Sequence, residues 1–165
     1  MKIVLVVPYR GIGDLIFHIP LIRGLSKKYN SKITLITNKV SKAKNLLKNE
    51  KSIQEIEYIS FQRENQIKNS FLFYKKINSF KSDMCILTAP TRGLIIPLIF
   101  SNSKKKIYFK KDNTRDLSKY IIKQSKIELP NIQFHKNYFL KLKKNKISKK
   151  NIFISIDSRH DSNNW

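Results

Sequence analysis

The chain has 165 residues, 41% of them apolar, and carries 34 Lys and Arg against 11 Asp and Glu for a formal charge of +23. That length and composition suit one domain with a real core, or a domain and the opening of a second. The single cysteine, Cys85, excludes an internal disulfide framework, and no apolar run approaches the roughly 20 residues of a membrane span.

Ile3 to Val7 is short, β-branched and apolar, as expected of a parallel strand buried on both faces. Pro8, Tyr9 and Arg10 cut it short and no small-residue cleavage site follows, so it does not read as a signal peptide. A Gly11-Ile12-Gly13-Asp14 turn then opens a helix whose Leu15, Ile19, Ile22, Leu25 and Tyr29 recur at helical spacing. The two glycines are expected to permit a sharp turn and close approach by a ligand, and the helix N-terminus presents free N–H groups to it. Lys32 to Thr37 reads as a second strand, Val40 to Lys48 as a short helix and Ile53 to Ile59 as a third strand. A polar helix covers about Glu64 to Phe80.

Met84 to Thr88 is the fourth strand, with Cys85 a buried member, and the loop Ala89-Pro90-Thr91-Arg92-Gly93 closes it where a strand's carboxyl end should meet ligand. Leu94 to Phe100 reads as a helix despite Pro97, Lys105 to Phe109 as a fifth strand, and 114–126 and 133–142 as helices. This alternation predicts an α/β fold, a Rossmann-like parallel sheet with helices on both faces. The first domain would span 1–142, followed by a basic linker, 143–150. Asn151 to Ile156 reads as a fresh buried strand, and with Trp165 it makes 151–165 look like the start of a second domain.

The strand, the Gly-Asp turn and the Pro20-bearing helix resemble the N-terminal half of glycosyltransferase family 9, the heptosyltransferase-like enzymes of lipopolysaccharide assembly. Arg10, Gly13, Asp14, Leu15, Ile16, Pro20, Leu21 and Leu25 fill the family's opening pattern. Phe80-x-x-Asp83, Arg92 and the segment Ile154 to Trp165 are also similar to it. The resemblance implies a two-domain GT-B enzyme with the acceptor on the N-terminal domain and the nucleotide sugar on the C-terminal one. The implied reaction is an inverting, metal-independent transfer from a donor such as ADP-heptose to an anionic glycolipid, with no other cofactor. Asp14 would be the catalytic base, and Arg10, Gly11, Gly13, Thr91 and Arg92 would contact the acceptor. The implied location is cytoplasmic, peripheral at the inner membrane. The chain departs from the family at Ser158-Arg159-His160, where a small Gly-containing turn is expected, and by itself it would lack most of the donor domain.

Other readings of the same residues stand beside this one. Asp14 suits an N-terminal helix cap as well as a base. Arg10 and Arg92 would clamp acceptor phosphate or carboxylate, or pair locally. Gly11 and Gly13 do not complete a G-x-G-x-x-G fingerprint, so no bound NAD is expected. His18, His135 and His160 lack ligand spacing, and Asp157 and Asp161 do not form Asp-x-Asp, so no metal is expected. The charge favours anionic partners, glycolipid, lipid surface or nucleic acid, while a coding bias toward Lys, Asn and Ile accounts for it equally. A non-enzymatic basic module binding nucleic acid or anionic membrane, with Tyr108-Phe109-Lys110-Lys111 and Tyr138-Phe139 as stacking platforms, is the alternative.

Overall fold

In the computed structural model, which describes residues 1–60, 66–89, 91–110 and 117–125, the expected first strand forms the centre of the sheet. This strand, β1 (Ile3–Val7), is buried along its whole length. Its side chains alternate between layers, so Val4 and Val6 join one core while Ile3, Leu5 and Val7 face the other. On one side it pairs in parallel with β2 (Ile33–Thr37), Ile3 opposite Ile33, and on the other with β4 (Met84–Leu87), Ile3 opposite Met84. The outer strands are β3 (Ile53–Tyr58) beside β2 and β5 (Lys105–Tyr108) beside β4, giving the order β3-β2-β1-β4-β5, all parallel. A parallel sheet in this order turns its direction of winding at β1, and the ends of β1 and β4 therefore diverge into a crevice.

Helix α1 (Ile12–Tyr29) follows β1 and packs with α5 (Leu117–Ser125). It is buried more widely than the Leu15-Ile19-Ile22-Leu25 stripe predicts: His18, Pro20, Leu21 and Gly24 are also enclosed. Helices α3 (Gln66–Ser79) and α4 (Arg92–Ile99) pack together, and right-handed crossovers put them on the opposite face of the sheet. There Phe73, Ile77, Leu94 and Leu98 close over Val4, Val6, Cys85 and Leu87. Each such fully buried side chain contributes about 1.5–3 kcal/mol.

Three local features depart from the sequence pattern. The single helix expected over Val40 to Lys48 is instead a 3-10 turn, Lys39–Ser41, and a one-turn helix α2 (Ala43–Leu46). Asn38 caps the first through its side chain to the Val40 amide, and Lys42, at φ 49°, breaks the two apart. Helix α4 begins at Arg92, two residues before the apolar run, so Arg92 sits on a helix end. Pro97 lies inside α4 and removes the N–H that would reach the Gly93 carbonyl, which accepts instead from Ser70 Oγ at 2.7 Å.

The amino ends of the strands are tied together by Asp83. Its carboxylate accepts from the Lys2 amide at 2.8 Å and Lys104 Nζ at 2.7 Å, contacts that hold it below the usual carboxylate range. This residue stands at the end of the sheet away from the crevice. The expected helix at 133–142, the linker 143–150, the strand and loop 151–165, and His135, His160, Asp157 and Asp161 lie outside the described residues.

Candidate functional site

Two loops meet where β1 and β4 diverge: Pro8 to Gly11 after β1, and the loop of Thr88, Ala89 and Thr91 after β4. Each leads directly into a helix, α1 or α4, so two helix N-termini converge on one crevice. At neither end does the N-cap residue cap the helix with its own side chain. Gly11, the N-cap of α1, has no side chain to offer, and Thr91, the N-cap of α4, leaves its hydroxyl out of the cap. Their leading amides therefore remain available to an anionic or polyhydroxylated ligand.

The cleft at this point has a volume of about 380 Å³ and is lined by Tyr9 and Thr91 from the two loops, by Arg92 and Gly93 from the start of α4 and by Gln66 and Ser70 from the start of α3. A larger cavity, about 650 Å³, lies between α1, α5, β4 and β5 and reaches Tyr108, Phe109 and Lys110 at the end of β5. It includes no residue of the loops after β1 and β4, where the winding of the sheet reverses, so the smaller cleft is the candidate site.

Asp14 stands at the third position of α1, and its Oδ2 accepts from the Gly11 amide at 3.2 Å. This is the capping reading of Asp14, realised backwards: the carboxylate satisfies the N-cap amide, not the reverse. No other hydrogen bond reaches the carboxylate among the described residues, so Oδ1 is left open. Gly11 earns its place sterically. Its φ is −74°, which any residue adopts, but a Cβ there would stand 2.5 Å from Asp14 Oδ2. None of the glycines has a positive φ, so the expected sharp glycine turn is replaced by a demand for close approach. At Gly13 the space where a Cβ would project is empty, leaving open backbone beside Asp14.

Tyr9 links the two halves of the crevice. Its hydroxyl donates to the Thr88 carbonyl at 3.1 Å, and its ring lies 5.4 Å from that of His18. Burial, with smaller contributions from Tyr120 and the negative charge of Asp14, pushes its pKa up to about 12. It is a neutral hydrogen-bonding group at neutral pH. His18 is wholly buried one turn behind Asp14, with Nδ1 2.6 Å from the Asp14 carbonyl. A carbonyl only accepts, so Nδ1 carries the proton, and Nε2 has no hydrogen-bond partner among the described residues. Burial lowers the His18 pKa to about 4, and the ring is neutral.

Of the residues singled out in the sequence, Thr91 and Arg92 line the cleft, while Arg10, Gly11, Gly13 and Asp14 lie on the α1 side without lining it. Arg10 and Arg92 are both exposed, and neither is engaged in an ion pair among the described residues. Tyr9, Gln66 and Ser70 were not singled out. Tyr9 carried one signal, its place between the end of β1 and Arg10. Gln66 and Ser70 carried none, because only the crossover from β3 to β4 brings the start of α3 there. Of the expected stacking stretches, Phe109 is buried against Tyr120 and faces the core, and 138–139 lies outside the described residues. Among the described residues no helix is long and apolar enough to cross a membrane.

No family model and no curated protein matches the chain. Among solved structures, it is similar to a glycosyl transferase of family 9 from Veillonella parvula, with 20% identity and a TM-score of 0.60 over 77% of this chain and 41% of that one. It is also similar to the ADP-heptose lps heptosyltransferase II of E. coli, with 16% identity and a TM-score of 0.48 over 66% of this chain and 30% of that one. The first match shows a shared fold, and the chain spans less than half the length of either protein.

Proposed function

We propose that the chain forms the acceptor-binding part of an inverting glycosyltransferase of the family 9, heptosyltransferase-like kind, built on the two-domain GT-B plan. The observation that carries this reading is the crevice at the carboxyl ends of β1 and β4, where Asp14, bonded to the Gly11 amide, stands on the α1 side and Thr91, Arg92 and the uncapped N-terminus of α4 stand on the other. The sequence resemblance around Asp14 and the shared fold support it. The acceptor is a lipopolysaccharide-type anionic glycolipid, and the donor is a nucleotide sugar such as ADP-heptose.

In this reaction an acceptor hydroxyl attacks the anomeric carbon of the donor from the face opposite the nucleoside diphosphate. The new C–O bond forms as the bond to the diphosphate oxygen breaks, so the configuration inverts. Asp14 Oδ1 takes the proton of the attacking hydroxyl. The Gly11 amide on Oδ2 holds the carboxylate in one orientation, which makes its contribution one of position as much as of basicity. Arg92 and the leading amides of α4 hold an acceptor phosphate or carboxylate, and the Thr91 hydroxyl bonds a neighbouring sugar oxygen. Arg10 meets the acceptor from the α1 side. The assignment includes no metal, and a chelator should leave turnover unchanged.

In a two-domain enzyme containing this chain, Asp14→Asn is expected to lower turnover by about 100-fold or more, the usual size of a general-base contribution. Folding should be nearly unaffected, because the amide oxygen still accepts from Gly11. Wild-type turnover in that variant would remove Asp14 from the mechanism.

A further inference from the structure

The outer face of the α3–α4 pair exposes large apolar side chains among the described residues. Ile67 is 89% exposed, Phe71 55%, Ile96 54% and Phe100 71%. Apolar residues scattered singly over a surface need no explanation, but these are arranged. Ile67 and Phe71 are four apart on α3, as Ile96 and Phe100 are at the end of α4, so each pair shares a helix face. The seam between the helices is marked by Ser70 Oγ on the Gly93 carbonyl and by the Asn102 amide on Asn78 Oδ1. On α3, Ile67 and Phe71 lie within about 40° of Asn78 around the axis, and on α4 Phe100 falls seven residues, about two turns, from Gly93. Both pairs therefore flank the same seam and form one strip.

Among the described residues the strip is bordered by cations and by nothing acidic. Neither α3 nor α4 contains an Asp or Glu, while Lys68, Lys75 and Arg92 stand on their exposed sides. Lys75 Nζ lies 4.6 Å above the Phe71 ring, joining charge and apolar surface at one point. Lys76, on the flank away from the strip, is engaged with Glu57 at 2.7 Å. A second copy of this chain is a poor occupant, since two bodies each carrying +23 repel. Apolar side chains ringed by lysines, with an aromatic at the boundary, match a surface that is anionic outside and hydrocarbon beneath.

We propose that the α3–α4 face docks on an anionic lipid bilayer, with Ile67, Phe71, Ile96 and Phe100 entering the headgroup region and the flanking lysines meeting lipid phosphates. The same two helices begin at the candidate cleft, where Gln66 and Arg92 line it. Docking by this face brings the cleft mouth to the membrane, where a lipid-borne acceptor is presented; that last step rests on the function proposed above. The docking itself does not, since it requires only phospholipid.

Co-sedimentation of the full chain with vesicles of phosphatidylglycerol and phosphatidylethanolamine tests it, with phosphatidylcholine vesicles for comparison. The expected result is binding to the anionic vesicles, weakened about tenfold or more in Phe71→Glu/Phe100→Glu and little changed in Asn45→Glu/Asn49→Glu, which alters the charge equally at exposed sites far from the strip. Thermal melts of both variants should match wild type, since all four side chains are exposed. Equal loss in the two variants would mean diffuse attraction by net charge and would overturn the proposal, as would absence of binding or equal binding to phosphatidylcholine. Because the vesicles contain no glycan, a chain that binds them but never binds a sugar would keep this surface and lose only the transferase reading.

Discussion

At the scale of single residues, the crevice depends on groups whose properties come from what surrounds them. Asp14 is recognisable from its Gly-x-Gly-Asp setting, yet the reason for Gly11 is a clash with the carboxylate that no spacing rule reveals. His18 is the clearer case. In the sequence it is one of three scattered histidines, and only the packing of α1 in the fold, beside Tyr9, encloses it completely. Because the folded pKa of about 4 lies below the ordinary 6.5, the neutral ring is the form the fold holds. Its contribution is present in full above about pH 6.5 and is lost as pH falls toward 4, on the order of 3 kcal/mol across that window. Thermal melts should show a fall in stability between pH 6.5 and 5 that His18→Phe flattens, since surface carboxylates titrate mostly lower. Parallel pH curves for the two proteins would assign the effect elsewhere.

Among elements, the alternation of strands and helices is legible because buried parallel strands are short runs of apolar and β-branched residues: Ile3–Val7 and Met84–Leu87 are continuously apolar, and Ile33–Thr37 adds two threonines. Helix ends are less so. The break at Lys42 and the start of α4 at Arg92 depend on a left-handed residue and on a loop conformation, neither of which hydrophobic spacing reports. The contact that locks α3 to α4 is of the same hidden type: Pro97 frees the Gly93 carbonyl, and Ser70, from a helix more than twenty residues away, takes it. Ser70→Ala should therefore cost about 1–2 kcal/mol in urea unfolding, the penalty of an unpaired, part-buried carbonyl. In a Pro97→Ala background that carbonyl regains an N–H from its own helix, and the cost of Ser70→Ala should fall by at least half. Equal costs in both backgrounds would show that the two sites are not coupled through Gly93.

For the molecule as a whole, the strand order β3-β2-β1-β4-β5 decides where function can sit, because the winding reverses at β1 and opens the crevice between β1 and β4. The sequence pattern is enough to predict a parallel sheet and to name the loops after β1 and β4, but the convergence of α3 on the same point belongs to topology alone. Helices α3 and α4, which contain no Asp or Glu, adjoin a cleft that presents Arg92 and the N-terminus of α4. The central claim is that this crevice binds an anionic sugar acceptor. The most direct test is a backbone amide NMR titration of the 165-residue chain with a phosphorylated, lipid-free core oligosaccharide. The predicted result is a set of shift changes centred on Gly11 to Asp14 and Thr91 to Gly93, with affinity reduced about tenfold or more in Arg92→Ala, as expected for a lost charge-assisted contact. Shift changes confined to the larger cavity beneath α5, or none at saturating sugar, would contradict it.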